Sequence, residues 1–252
     1  MLLDSKNAIV TGGSAGIGRA ICLRMAEEGA NVVIGDVDEA RGREVEAEIR
    51  AAGGTAWFVP LDVAETASID AMVERTLKLV EGGIDILVNN AGVTRKIPIL
   101  EITEQDWDWV QNINTRGLFF CLQRVARHMS ERGYGRIVNI ASVSGKGVKG
   151  SSNASYAASK AAAIVVARIA ANELGRSGIN VNTVVPGPVK TELIETLESQ
   201  DPGLIATLSA QSARGVIAAP EDVANATIFL CSALADNITG QSINVDNGLL
   251  WD

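Results

Sequence analysis

The sequence predicts an α/β domain, a doubly wound, seven-stranded, mostly parallel sheet with helices on both faces. Three observations predict it. Short β-branched runs alternate with longer helical stretches along the whole chain, and repeated strand–helix–strand units give parallel strands joined by right-handed crossovers. The strands read as near-continuous apolar runs such as Ile84-Asp85-Ile86-Leu87-Val88, the pattern of a sheet covered on both sides. A glycine-rich segment follows the first strand and opens the first helix.

In order, the expected strands are Asn7–Thr11, Asn31–Asp36, Thr55–Pro60, Ile84–Asn89, Arg136–Ile140, Asn180–Val185 and Gln241–Val245. Helices are expected at Gly16–Glu28, Asp38–Ala52, Thr66–Val80, Thr103–Arg132, Ser155–Arg176 and Pro220–Ser232. No linker or repeat divides the chain, and 252 residues suit one domain, residues 1–252. The stretch Thr191–Ala219 breaks the rhythm with Pro202-Gly203 and no strand. It lies beyond the C-terminal end of the sixth strand, where open α/β sheets bind ligands, so it is a candidate substrate lid. A plain surface loop is the alternative, though loops of this length usually carry function or disorder.

A net charge of −8 and the lack of any Lys/Arg cluster leave no basic face for nucleic acid or an acidic membrane surface. No basic segment leading into an apolar run opens the chain, and no apolar stretch reaches about 18 residues. The cytoplasm is the expected compartment. Cys22, Cys121 and Cys231 are far apart, offer no disulfide framework or metal motif, and read as buried free thiols. With one histidine, zinc chemistry is excluded and no metal is expected. That histidine, His128, reads as a surface residue without a role.

The loop Thr11-Gly12-Gly13-Ser14-Ala15-Gly16-Ile17-Gly18 has the chemistry of a phosphate cradle. Glycine lets the backbone approach a pyrophosphate, and the helix N-terminus offers free N–H groups and a positive dipole end. Its spacing is G-x-x-x-G-x-G in Gly12, Gly16 and Gly18, and taken alone a tight turn is the competing reading. The second strand ends at Asp36, where a carboxylate accepts the adenosine ribose hydroxyls of a Rossmann-type dinucleotide site. Ser14 and Val37 occupy the neighbouring positions, so a 2′-phosphate meets negative charge without a cation beside it. Asp36 therefore favours NAD over NADP, although Arg19 and Arg41 are within reach of the phosphate region. Helix capping is the other use for Asp36, and Asp38 suits it better.

The chain holds two tyrosines, Tyr134 and Tyr156. Lys160 follows Tyr156 at i+4, on the same helix face, a match expected roughly 0.06 times by chance. A free phenol titrates near 10, too high for a base at neutral pH, and a nearby ammonium lowers that value. Ser142, just past the strand Arg136–Ile140, is placed to bind a substrate oxygen. Singly, Ser142 is more often a turn or cap residue and Tyr156 a packing residue; together at the strand ends they read as a site.

In these residues and the motifs below, the chain resembles a single-domain short-chain dehydrogenase/reductase over nearly its whole length. The glycine loop matches TGxxxGxG, Asp62-Val63 the adenine-contacting pair, Asn89-Asn90-Ala91-Gly92 the NNAG segment, and Pro186-Gly187 with Thr191 the PGxxxT stretch. Asn114, Ser142, Tyr156 and Lys160 match the catalytic tetrad. Ser142 and Tyr156 are one residue further apart than in the family's usual pattern, which bears on pocket shape.

The resemblance implies an NAD-dependent oxidoreductase interconverting a secondary alcohol and a ketone. Tyr156 would be the acid/base, Ser142 would hydrogen-bond the reacting oxygen, and Lys160 would bind the nicotinamide ribose and depress the Tyr156 pKa. Asn114 would hold a water linking Lys160 to solvent; Thr191 and the backbone near Val189 would hold the carboxamide. The implied cofactor set is Gly12, Ser14, Gly16, Ile17, Gly18, Asp36, Val37, Asp62, Val63, Asn89, Ala91, Gly92, Tyr156, Lys160, Pro186, Gly187, Val189 and Thr191. Plainer readings stand beside two of these: Asn114 as a mid-helix polar residue bonded to a carbonyl, and Asp62 as a turn residue.

Pocket walls are expected from Val93–Lys96, Val143–Asn153 and Val189–Leu197. They mix Val143, Val189, Leu193, Ile194 and Leu197 with Ser144, Asn153, Arg95, Lys146 and Lys149, which suits a secondary alcohol or ketone carrying another polar group. An anionic substrate paired with Arg95 or Lys146 competes with a reading of these as solvated loop cations. The stretches Thr103–Arg132 and Ser155–Arg176 correspond to the family's dimerisation helices. Small residues on two faces of the second are consistent with a homotetramer. Two rivals remain: a 3-oxoacyl-carrier-protein reductase, opposed by Asp36 and the negative charge, and a non-catalytic NAD(H)-binding sensor, opposed by the intact tetrad.

Overall fold

The computed structural model describes residues 1–148 and 152–251, with their side chains except that of Leu193. Seven strands, β1 (Asn7–Thr11), β2 (Asn31–Asp36), β3 (Thr55–Pro60), β4 (Ile86–Asn89), β5 (Gly135–Ile140), β6 (Ile179–Pro186) and β7 (Ser242–Val245), form one sheet. Their order is β3-β2-β1-β4-β5-β6-β7, and every pairing is parallel. The expected mostly parallel sheet is thus wholly parallel. The order reverses between β1 and β4, which opens a crevice at their C-terminal ends.

The period-two alternation along each strand divides the core into two layers. Ala8, Val10, Ile86, Val88, Val138 and Ile140 pack with residues of α1 (Gly16–Glu27), α2 (Glu39–Ala51) and α9 (Pro220–Cys231). Ile9, Leu87, Ile137 and Val181 point the other way, to α3 (Thr66–Leu79), α5 (Leu118–Arg132) and α6 (Ala154–Leu174). The alternation also places a polar rung, Thr11, Asn89, Asn139 and Thr183, across four adjacent strands. Asn89 Nδ2 donates to Asn139 Oδ1 (3.0 Å), and Asn139 Nδ2 donates to Ala163 O of α6 (3.1 Å). This rung fastens α6 to the sheet.

One expected helix is broken. The stretch Thr103–Arg132 divides into α4 (Glu104–Gln111), a π-helical turn at Asn112–Gly117, and α5. Asn114 lies inside that turn, 2% exposed, and its side chain faces away from its own helix. It accepts from Val93 N (2.8 Å) and donates to Val93 O (2.9 Å) and Ser159 Oγ (3.0 Å). Gly117 packs on Val63, where a Cβ would lie 2.7 Å from the Val63 carbonyl oxygen. Wide turns of this kind recur where a helix must aim a group into a site.

The stretch expected as a lid is helical, with α7 (Glu192–Gln200) and α8 (Leu204–Ser209) past the end of β6. α6 is long and apolar enough to cross a membrane by length and composition. Here it packs on β5 and β6 and buries Lys160, so it is a core helix. The three cysteines are buried free thiols, and burial raises Cys121 and Cys231 to about 12. His128 is not a simple surface residue. Its ring is half-buried beside Gly83, accepts from Ile84 N (3.3 Å), and is held below its ordinary pKa by burial.

Candidate active site

The glycine loop is shaped by contacts a side chain would not permit. A Cβ on Gly18 would fall 1.9 Å from Gly12 O, and one on Gly12, at φ +66°, would fall 2.8 Å from Ala91 Cα. Asn90 secures the loop from β4, donating through Nδ2 to Thr11 O (3.1 Å) and Gly12 O (2.9 Å). Asn90 and Ala91 in turn donate their backbone N–H groups to Thr11 Oγ1, both at 3.1 Å. The N-cap of α1, Ala15, makes no side-chain cap bond, and its first turn carries no acid. The N–H groups at that end are therefore disposed toward an anion.

At the far side of the crevice Ser14 donates to Asp36 Oδ2 through both Oγ (2.6 Å) and N (3.0 Å). Asp38 N donates to Asp36 Oδ1 (3.1 Å), while Asp38 itself caps α2 by accepting from Arg41 N (3.1 Å). Asp36 is thus free of the capping duty. The two arginines near the phosphate region are already paired, Arg19 with Glu48 (2.5 Å) and Arg41 with Glu192 (3.1 Å). Asp62 accepts from Ala64 N (2.9 Å), the turn bond its plainer reading expects, and also borders the crevice.

Two cavities meet in this region. One, of about 450 Å³, is bordered by Gly12, Ser14, Ile17, Gly18, Asp36, Val37, Asp62, Val63, Ala91, Gly92, Tyr156, Lys160 and Thr191, among others. The second, of about 310 Å³, is bordered by Ser142, Val143, Ser144, Val148, Tyr156, Pro186, Gly187, Val189, Thr191, Ile194, Leu208 and Leu249, among others. Tyr156 and Thr191 stand on the shared wall. Gly16 opens toward Thr191, 3.6 Å from the place its Cβ would occupy.

Tyr156 and Lys160 lie on α6, whose N-cap Asn153 accepts from Tyr156 N (2.8 Å) and donates through Nδ2 to Arg95 O. Lys160 is 6% exposed and donates to Ile140 O (2.8 Å). Its Nζ lies 5.7 Å from the centre of the Tyr156 ring. A Cβ on Gly92 would sit 3.3 Å from Asn114 Oδ1 and 3.4 Å from Lys160 Nζ, so Gly92 keeps these groups facing one another. Ser142 caps the short turn Val143–Lys146 by accepting from Ser144 N (3.1 Å), and it borders the same cavity as Tyr156.

The electrostatics differ from expectation. Burial pushes the Tyr156 phenol above its ordinary value, and the Ser142 hydroxyl pulls in the opposite direction. Burial takes Lys160 from 10.5 to about 8. Burial thus acts on both groups, and the Lys160 Nζ is turned to the Ile140 carbonyl.

Several expected residues fall elsewhere. Asn89 belongs to the polar rung and does not border the crevice; strand alternation turns it to α6, and Asn90, outside the expected set, does the loop-holding. Arg95 stacks on Trp109 and pairs with Asp106 (3.2 Å), and Lys146 donates to Asn244 Oδ1 (2.8 Å); neither borders the second cavity. Asn153 is a helix cap, and Leu197 is 39% exposed. Lys149 lies outside the described residues. Ser159 and Asn153 had no motif to mark them; each matters only through the partner that folding brings.

A family model described as enoyl-(acyl carrier protein) reductase matches residues 12–250. The (2S)-[(R)-hydroxy(phenyl)methyl]succinyl-CoA dehydrogenase subunit BbsD of Thauera aromatica is 39% identical over 98% of both chains. The chain belongs to the short-chain dehydrogenase/reductase family. Within that family, a 3-oxoacyl-[acyl-carrier-protein] reductase FabG of Staphylococcus aureus is 36% identical over 97% of this chain and 98% of that protein. Among solved structures, a gluconate 5-dehydrogenase from Burkholderia cenocepacia in complex with NADP and tartrate superposes with a TM-score of 0.91. It is 35% identical and covers 98% of this chain and 96% of that one. This short-chain dehydrogenase/reductase is an oxidoreductase, and its family uses a nicotinamide cofactor.

Proposed function

We propose that this enzyme interconverts a secondary alcohol and a ketone with NAD(H), using Tyr156 as the acid/base. The observation that carries the reading is the meeting of two cavities at Tyr156, with Lys160 behind it and Ser142 on the second cavity's wall. The crevice residues fit the cofactor: the glycine loop and uncapped α1 N-terminus for the pyrophosphate, Asp36 for the adenosine ribose, Lys160 for the nicotinamide ribose. Pro186, Gly187, Val189 and Thr191 border the place where the carboxamide would lie. Once bound, the cofactor supplies the hydride acceptor or donor.

The protein residues supply the remaining chemistry. In reduction, Ser142 holds the carbonyl oxygen and Tyr156 gives it a proton; in oxidation, Tyr156 takes the hydroxyl proton. Asn114 holds the Val93 backbone beyond β4 and would hold a water linking Lys160 to solvent. α7 and α8 close the second cavity through Ile194 and Leu208, as a substrate lid.

Asp36 supports NAD over NADP by its charge, and both arginines within reach are engaged by carboxylates of this chain. The same carboxylate weighs against the carrier-protein reductase reading, although one such enzyme is a relative. Initial rates with each oxidised cofactor test this choice across a panel of secondary alcohols, polyols and hydroxy acids. NAD⁺ is expected to give at least about tenfold higher kcat/KM than NADP⁺, the result of one unpaired like-charge contact. An NADP⁺ preference would sink the reading of Asp36. NADH binding without turnover of any substrate would favour the sensor.

A homotetramer in the cytoplasm completes the proposal. Phe119, Val165 and Ile169 form an exposed apolar face on α5 and α6, between 39% and 56% exposed, of the kind that a second copy covers.

A further inference from the structure

Ser144 is the buried hydroxyl of the second cavity that the proposed reaction leaves without a task. It is 3% exposed and stands two residues beyond Ser142. Its backbone N–H donates to Ser142 Oγ (3.1 Å), and Ser142 Oγ donates to Ser144 Oγ (3.2 Å). The Ser144 proton has no acceptor among the described residues. Two hydroxyls thus stand side by side on the wall that also carries Tyr156. Around them Val143, Val148, Ile194, Leu208 and Leu249 supply an apolar surface, and no charged side chain borders this cavity among the described residues.

We propose that Ser144 binds a second oxygen of the substrate, on the carbon next to the reacting carbon. The substrate class is then uncharged vicinal diols and their α-hydroxy ketones. This inference rests on the assignment of Tyr156 and Ser142 to the reacting oxygen. The two oxygens of a gauche vicinal diol lie about one hydrogen-bond length apart, roughly 2.8 Å, close to the spacing of the two serine hydroxyls. When Ser142 turns its proton to the reacting oxygen, Ser144 is left to pair with the neighbouring one. The apolar walls take the carbon skeleton. The step balances as an alcohol oxidation: the C–H hydride leaves for the oxidised cofactor and the O–H proton for Tyr156, while the oxygen on Ser144 is unchanged. A substrate lacking the second oxygen leaves Ser144 facing hydrocarbon. Sites built to hydrogen-bond a hydroxyl reject the analogue that lacks it.

The test compares trans-cyclohexane-1,2-diol, cyclohexanol and trans-2-hydroxycyclohexanecarboxylate as substrates of the wild-type enzyme, Ser144→Ala and Ser144→Thr. In parallel, 2-hydroxycyclohexanone and cyclohexanone are titrated onto the NADH complexes of Tyr156→Phe and Tyr156→Phe/Ser144→Ala, followed by NADH fluorescence. The expected result is a diol preference over cyclohexanol of at least about tenfold in kcat/KM, collapsing toward one in Ser144→Ala and partly kept by Ser144→Thr. The hydroxyketone should likewise bind tighter than cyclohexanone only while Ser144 is present. Equal kcat/KM for diol and cyclohexanol, a preference that survives Ser144→Ala, or a preference for the carboxylate would overturn the proposal. Binding separates the two readings. A Ser144-dependent hydroxyketone preference without any turnover supports the Ser144 assignment and removes the redox reading. Turnover without that preference does the reverse.

Discussion

Lys160 shows how burial sets chemistry at a single residue. Its ammonium is nearly sealed from solvent and meets one carbonyl, so the folded chain holds its pKa at about 8 against an ordinary 10.5. The sign of the stability effect follows. Between those values the unfolded chain binds a proton that the folded chain has released, so stability rises with pH. The cost of burying the charge is fully present below pH 8 and is relieved as pH climbs toward 10.5. Thermal unfolding of the wild type and Lys160→Met checks this. The difference in Tm should shift in favour of the wild type between pH 8 and 10, and a constant difference would show that Lys160 is not buried as a costly charge. At the same scale, Asn89, expected at the cofactor, lies in the polar rung, and Asn90 holds the glycine loop. Both were legible as polar residues at a strand end, but only the pairing of β4 with β1 and β5 decides which one turns to the glycine loop.

At the scale of elements, the α6 N-terminus ties Tyr156, the proposed acid/base, to the loop after β4. Asn153 serves both sides of that tie, accepting from Tyr156 N and donating to Arg95 O. Losing an N-cap of this type costs about 1 kcal/mol. Asn153→Ala should lower Tm by a few degrees and reduce kcat more than it weakens NADH binding, because Tyr156 is the residue left loose. Asn153→Asp, which keeps the cap but not the donor, separates the two contributions. An Asn153→Ala enzyme with wild-type kcat would show that the cap does not position Tyr156.

The strands and most helices were legible because apolar runs, β-branched residues and caps are local. The break at Asn112–Gly117 was not, because a long amphipathic stretch carries no mark of the Val93 backbone and Ser159 that pull Asn114 aside. The helices α7 and α8 were equally hidden, as they are short and mixed in pattern. The lost expectation for Arg95 has a similar cause, since the sequence does not show that Trp109 and Asp106 already occupy it.

Taken whole, the molecule opens its crevice where the strand order reverses and carries an exposed apolar face on α5 and α6. A side chain of opposite character on that face should break self-association without touching the crevice. Ile169→Glu, or Val165→Asp with it, is expected to shift the mass seen by light scattering from about four chains to one or two. NADH affinity should change little. A wild-type mass near 26.4 kDa, the mass of one chain, would remove the tetramer.

The most direct test of the central claim is the turnover of Tyr156→Phe beside its affinity for NADH. General acid–base catalysis by one side chain contributes roughly 10²–10⁴-fold. The variant keeps the ring that borders both cavities and loses only the hydroxyl. The account predicts NADH binding within about twofold of wild type and a fall of at least about a hundredfold in kcat, in both directions of reaction. Turnover close to wild type would contradict it, because the proton would then move through a group other than Tyr156.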